Sequence, residues 1–116
     1  MTVQELDNKL NQAILTGKAM EAYEELYADD VAMQENSEPV VNGKDKNRER
    51  EYEFFNSVEE FRGATLVSSA VNGEVTFGEW SYDVVFKGGV HVIMNQVAVR
   101  HWKDGKVAFE RFYYSK

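Results

Sequence analysis

The chain has 116 residues, the size of a single domain, and we read residues 1–116 as one. It contains no cysteine, which excludes a disulfide scaffold, a thiolate metal site and thiol catalysis. Its net charge of −7 argues against nucleic acid or an anionic membrane as a partner, and a mean hydropathy of −0.51 with no long apolar run argues against a membrane span.

Thr2 and Glu5 have the spacing of a capping box, and Val3, Leu6, Leu10, Ala13 and Ile14 follow as an apolar helical stripe that Gly17 ends. A second helix is expected over about Lys18–Tyr27, with Ala19, Ala22, Tyr23, Leu26 and Tyr27 inward. Val31–Glu35 alternates as a short strand. Asn36–Gly43, which holds the only proline, reads as a loop with a short strand at Val40-Val41. A third helix is expected over about Lys44–Glu60. Its apolar positions come late, at Phe54, Phe55, Val58 and Phe61, and its charged first turns, through Glu53, read most simply as a solvated face.

Beyond Arg62, turn signals at Asn72-Gly73, Lys87-Gly88-Gly89 and Lys103-Asp104-Gly105 delimit four strands, about Gly63–Val71, Glu74–Phe86, Val90–Trp102 and Lys106–Ser115. Tight turns imply an antiparallel meander. Strands of ~13 residues would span ~44 Å, too long to lie flat, so the sheet should curl and carry a bulge. The expected fold class is α+β: a cone-shaped, strongly curved antiparallel sheet around three N-terminal helices. The 13% aromatic content suits a lined cavity or a large interface.

Three-residue hairpin loops would pair Phe86 with Val90, Tyr82 with Met94 and Trp80 with Gln96. The same rule would pair Trp102 with Lys106, Ala98 with Glu110, Gln96 with Phe112 and Met94 with Tyr114. One face then carries Trp80, Tyr82, Val84, Phe86, Val92, Met94, Gln96, Ala98, Arg100, Trp102, Ala108, Glu110, Phe112 and Tyr114. This more aromatic face is expected under the helices. Gly78 and Ala98 beside Glu110 suggest a void. The other face, with Phe77, Ile93, Val97, Val99, Phe109 and Tyr113, is apolar enough to suggest a partner subunit. His91 and His101 fall on that outer face, too far apart for a metal site.

The run Tyr27-Ala28-Asp29-Asp30 leading into Val31–Glu35, then Ser37-Glu38-Pro39 and Gly43, resembles the nuclear transport factor 2-like superfamily. So does the ending Asp104-Gly105-Lys106-Val107 with Phe109–Tyr114. Within that superfamily the chain is similar to the SnoaL-like and ketosteroid isomerase-like branch. The resemblance covers essentially the whole chain. It implies an apolar pocket between sheet and helices and a homodimer through the outer sheet face. Separately, the composition and the start Met1-Thr2-Val3-Gln4-Glu5, which has no basic and then apolar region, lead us to expect a cytoplasmic protein, and no cofactor is expected. The family's isomerases place an Asp base where Glu35 stands, an oxyanion-donating tyrosine where Leu10 stands and a protonated Asp where Ala98 stands. Steroid isomerisation is therefore not implied, whereas the looser pattern of the polyketide cyclases is compatible.

Glu35 shares a strand face with Val31 and Met33, where burial would disfavour ionisation and suit it to moving protons; pairing with a basic residue is the plainer alternative. Gln96 is a candidate donor to a ligand, or a partner for the Trp80 indole. Glu110 is a candidate catalytic carboxylate, or an ion-pair partner of its neighbour Arg100. The expected pocket wall is Tyr23, Tyr27, Met33, Trp80, Tyr82, Met94, Ala98, Phe112 and Tyr114. Two functions fit: a small enzyme, whether isomerase, cyclase, dehydratase or hydrolase, acting on an apolar cyclic substrate, or a non-catalytic ligand-binding or dimerisation module.

Overall fold

The computed structural model describes residues 1–115. Three helices, α1 (Val3–Leu15), α2 (Ala19–Leu26) and α3 (Lys44–Ser57), accompany six strands. The strands are β1 (Tyr27–Glu35), β2 (Val41–Asn42), β3 (Val58–Asn72), β4 (Val75–Phe86), β5 (Val90–Lys103) and β6 (Lys106–Tyr114), arranged in one sheet in the order β2-β1-β6-β5-β4-β3. The helices pack against one face of this sheet, and the class is α+β as expected.

The capping box forms: the Thr2 Oγ1 accepts from the Glu5 amide at 3.1 Å, and the Glu5 Oε1 accepts from the Thr2 amide at 2.9 Å. At the other end Gly17 adopts φ +78°, and the Lys18 amide bonds the Ala13 carbonyl at 2.7 Å, closing α1 with a left-handed cap. Leu10, Ala22, Tyr23, Leu26, Tyr27, Val31, Met33, Trp102 and Val107 form the core beneath α1 and α2.

Three expectations need correction. The sheet is mixed rather than wholly antiparallel, because β1 runs parallel to β6, with Met33 opposite Glu110 and Glu35 opposite Phe112. Tight turns join only the last four strands, so they carry no information about β1. Second, α3 stops at Ser57 and not near Glu60. Val58, Glu60 and Phe61 instead pair with Phe86, Val85 and Val84, so ladder bonds to β4 override helix continuation. Register shifts along β3 supply the expected curl.

The third correction is the β5–β6 register. Asp104 (φ +52°) and Gly105 (φ +78°) make a two-residue turn that pairs Lys103 with Lys106. A bulge between His101 and Trp102 then restores the original face, leaving Arg100, not Ala98, opposite Glu110, and Ala98 opposite Phe112. Gln96 lies opposite Tyr114 rather than Phe112. Val107, not Ala108, is buried beside Trp102. On the β4–β5 side the three-residue loop forms as expected, with Phe86 opposite Val90, Tyr82 opposite Met94 and Trp80 opposite Gln96.

Candidate functional site

Beneath α1 the sheet carries a sealed polar network. Arg100 on β5 donates from Nε to Glu110 Oε2 at 2.9 Å, and from Nη1 to Asp7 Oδ1 at 2.8 Å and Asn11 Oδ1 at 2.7 Å. Tyr27 donates its hydroxyl to Glu110 Oε1 at 2.6 Å. Thr76 donates to Asp7 Oδ1 at 2.8 Å and accepts from the Trp102 indole at 3.0 Å. Every member is buried. Burial, then the adjacent Glu110 charge, pushes the Tyr27 phenol well above its usual range. Burial alone would lower Arg100, but Glu110, Tyr27 and Asp7 outweigh it and keep the guanidinium charged. Both Glu110 oxygens are thus committed within the protein, the ion-pair alternative of the two considered for it.

Nearer the open end stand the rings. Trp80 lies parallel to Tyr82, with centroids 5.6 Å apart and planes 7° from parallel. Gly78 is needed beneath this stack, because a Cβ there would lie 2.9 Å from the Trp80 Nε1. The space inferred over Gly78 is therefore filled by the indole, and Ala98, opposite Gly78, is buried. The Trp80 N–H is buried with no hydrogen-bond partner among the described residues, so Gln96 does not serve it. Gln96 lies near the Tyr82 hydroxyl, whose pKa burial raises. A groove of about 310 Å³ opens where β6 ends alongside β5, lined by Phe86, Tyr114, Ser115 and the β5 run 92–96, including Ile93 and Asn95 of the outer alternation. Phe54 of α3 packs edge-on against Phe86, one of these lining residues, at 6.0 Å.

The other expected wall residues take different positions. Met33 is sealed in the core. Tyr23 lies 4.6 Å from the Tyr27 ring and donates to the Lys44 carbonyl at 2.8 Å, which anchors the start of α3. Phe112 is half-buried opposite Ala98. Glu35 stands on the rim. Its strand ends at Asn36 (φ +50°), whose side chain accepts from the Tyr114 amide at 2.9 Å. The Glu35 side chain is 43% exposed and accepts from Arg50 Nη2 at 3.0 Å, the plainer alternative considered for it.

The carboxylate that the sequence reading passed over is Glu51. It lies one turn after Asn47, which is fully buried and donates to the carbonyls of Val31, Val41 and Gly43. It precedes Phe54 by three residues, so Asn47, Glu51 and Phe54 share the inner face of α3. Among the described residues Glu51 has no hydrogen bond or ion pair. Burial, then repulsion from Glu110, and from Glu35 to a lesser degree, outweighs the pull of Arg50 and pushes its pKa up to about 7. The i, i+4, i+7 spacing of Asn47, Glu51 and Phe54 was available in the sequence, but only a search that admitted polar residues to the buried face would have found it. Among the described residues no group of three or more His, Asp or Glu is placed to hold a metal ion.

Comparison with known proteins agrees with this architecture. Residues 1–114 match the SnoaL-like domain family. A protein from Mesorhizobium loti described as a putative SnoaL-like polyketide cyclase is 30% identical, with a TM-score of 0.86 over 98% of this chain and 100% of its own. A nuclear transport factor 2-like protein of unknown function from Burkholderia pseudomallei, 13% identical, superposes with a TM-score of 0.84 over 99% of this chain and 92% of its own. A protein of ketosteroid isomerase-like fold from Catenulispora acidiphila, solved in complex with trimethylamine, is 17% identical and superposes with a TM-score of 0.78 over 98% and 88%. No curated protein matches the sequence. With the family match spanning nearly every residue and the curved sheet closing over the helices as described, the chain belongs to the SnoaL-like domain family.

Proposed function

We propose that the open end of the cone binds a small, largely apolar molecule and that Glu51 moves a proton on it. The observation that carries this reading is an unpartnered carboxylate on the inner face of α3, the face whose Phe54 packs on Phe86 of the groove. Such a group is held near neutrality and can both accept and donate a proton at physiological pH. Tyr82, stacked on Trp80, would orient a polar atom of the ligand. The reaction class is cofactor-free proton transfer, as in an isomerase, cyclase or dehydratase. Glu35, tied to Arg50 at the rim, would guard the entrance rather than take the proton.

The test is a thermal-shift screen against steroids, polyketides and fatty acids, followed by incubation of each binder with the protein in deuterium oxide. Deuterium should enter a carbon next to a carbonyl with wild-type protein and with Glu35→Gln, and fail to enter with Glu51→Gln. Binding without exchange would favour a non-catalytic ligand-binding module on the same cavity.

We also propose a cytoplasmic homodimer joined through the outer sheet face. Ile93, Val97 and Tyr113 are exposed there, an apolar cluster on the sheet face that the helices leave open. No helix among the described residues is long and apolar enough to cross a membrane.

A further inference from the structure

We propose that the open edge of β5 takes a short extended peptide from another protein, apolar at every second residue and basic at its ends, as an added strand in line with β6.

The groove beside β5 runs along the edge of a strand. It is lined by the consecutive residues 92–96, so side chains of both alternations border it. The cause is a difference in length. β5 begins at Val90, whereas its pairing with β6 reaches only to Gln96, opposite Tyr114. The Phe112 carbonyl accepts from the Asn36 amide at 2.7 Å, and the Tyr114 amide donates to Asn36 Oδ1 at 2.9 Å, so both residues turn their backbone toward the β1 side. Backbone groups alternate sides along a strand, so Arg111 and Tyr113 turn theirs to Val99 and Val97. The same alternation along β5 sends the amides and carbonyls of His91 and Ile93 to this side as well. Among the described residues no strand faces them.

Two features make this edge receptive. The pairing of β5 with β4 runs from Phe86–Val90 to Val75–His101 without a shift, so the edge is regular. β3, at the margin of the sheet, is broken by register shifts in three places, an irregularity that deters a further strand. Residues Val90–Gln96 also contain no Lys, Arg, Asp, Glu or Pro, the residues that ordinarily block an edge.

The surroundings select the occupant. An extended polypeptide supplies donors and acceptors at the spacing of alternate strand residues. Its side chains opposite Val92 would lie on the cone side, near Phe86, Met94 and Tyr114, and should be apolar. The ends of the slot are acidic. Glu59 and Glu60 open β3 beside Phe86 and Val85, and Glu38 follows Asn36 next to Tyr114. Of the nearby cations, Arg50 is held by Glu35, and Arg62 by Glu60 and Asp83, which leaves Lys87 in the turn. In a chain of net charge −7 this rim attracts a basic segment, whereas a second copy would bring the same acidic rim against it. The added strand would lengthen the wall that β6 begins and calls on no group of the proton-transfer reading.

The test is amide exchange on the isotope-labelled full chain with the probe acetyl-Lys-Thr-Val-Thr-Val-Thr-Lys-amide. Saturating peptide should slow exchange of the His91 and Ile93 amides at least about tenfold and leave Val92 and Met94, already paired to β4, unchanged. N-methylation of the Thr residues, whose backbone groups would face β5, should abolish this protection, and N-methylation of the Val residues should not. Replacing both Lys by Glu should weaken binding at least about fivefold at low salt. His91→Pro removes one open amide near a strand end that tolerates proline, so the variant should fold and lose most of the affinity. A peptide that leaves both amides unprotected overturns the proposal, as does equal binding by the two N-methylated forms. Protection of His91 and Ile93 that rises with protein concentration, without peptide, overturns it in favour of a second copy at this edge.

Discussion

Arg100 and Glu110 stand directly opposite each other on β5 and β6, Nε to Oε2 at 2.9 Å, and both are sealed from water. A buried pair of this kind is held by its geometry: each charge has lost its hydration, and only the partner and the surrounding donors replace it. The Tyr27 hydroxyl and the Asp7 and Asn11 side chains complete that replacement, joining α1, the start of β1 and the centre of the sheet. Arg100→Leu would strand two buried carboxylates and should cost about 3–5 kcal/mol in urea unfolding. Replacing Asp7, Arg100 and Glu110 together by apolar residues of similar volume should recover most of that loss. A single-variant cost below about 1 kcal/mol would show that water reaches the network.

Glu51 makes stability depend on pH in a defined direction. Its folded pKa of about 7 lies above the ordinary value of 4.5, so the folded state binds the proton more tightly than the unfolded chain. Its contribution is fully present below pH 4.5 and is lost as pH rises through about 7. Glu51→Gln removes the charge that burial disfavours. The variant should therefore be more stable than wild type at pH 8, on the order of 1–3 kcal/mol, and indistinguishable from it at pH 4. Urea unfolding at both pH values checks this, and an equal difference at the two would mean that Glu51 does not titrate in that window.

What the sequence discloses follows from which forces are local. Thr2, Glu5 and Gly17 mark α1 because caps act within a few residues, and Lys87-Gly88-Gly89 sets the β4–β5 register because a tight loop determines the pairing next to it. The β5–β6 register escapes the same rule, since Asp104-Gly105 can close a two-residue turn and a bulge then compensates for it. The parallel β1–β6 pairing has no local signal at all. In the site, Trp80, Tyr82, Gln96 and Glu110 are legible as members of one sheet face, because strand alternation is strict. Asp7, Asn11 and Glu51 are not, because a polar residue on a helix reads as solvated until its partner across the chain is known. Arg100 was the available clue: a cation on a core face requires carboxylates, and Asp7 stands one turn from Leu10.

The outer sheet face gives a third prediction. Ile93 and Val97 lie two alternations apart on β5, 53% and 38% exposed, in the middle of that face. Light scattering should find a dimer at micromolar concentration. Ile93→Asp with Val97→Asp should yield a folded monomer, because two charges would have to be desolvated in the contact. A wild-type monomer under the same conditions would overturn the assembly, as would a double variant that remains dimeric.

Ala98 and Gly78 test whether the small residues make room for a ligand or for the indole. They face each other across β4 and β5, and Ala98 also faces Phe112. A methyl group at position 78 would sit 2.9 Å from the Trp80 Nε1, so Gly78→Ala must displace the indole and with it the parallel stack on Tyr82. Ala98→Leu adds bulk to a position only 2% exposed. Overpacking of this kind costs about 1–3 kcal/mol. Both variants should therefore lose stability, and Gly78→Ala should also shift the tryptophan fluorescence as Trp80 moves. Because the groove opens further along β5, at Val92–Gln96, Ala98→Leu should bind ligand nearly as well as wild type once folded. Urea unfolding and ligand titration on the same variant separate the two outcomes. Unchanged stability with lost binding would mean that the ligand reaches down to Ala98 and that the indole swings aside to admit it.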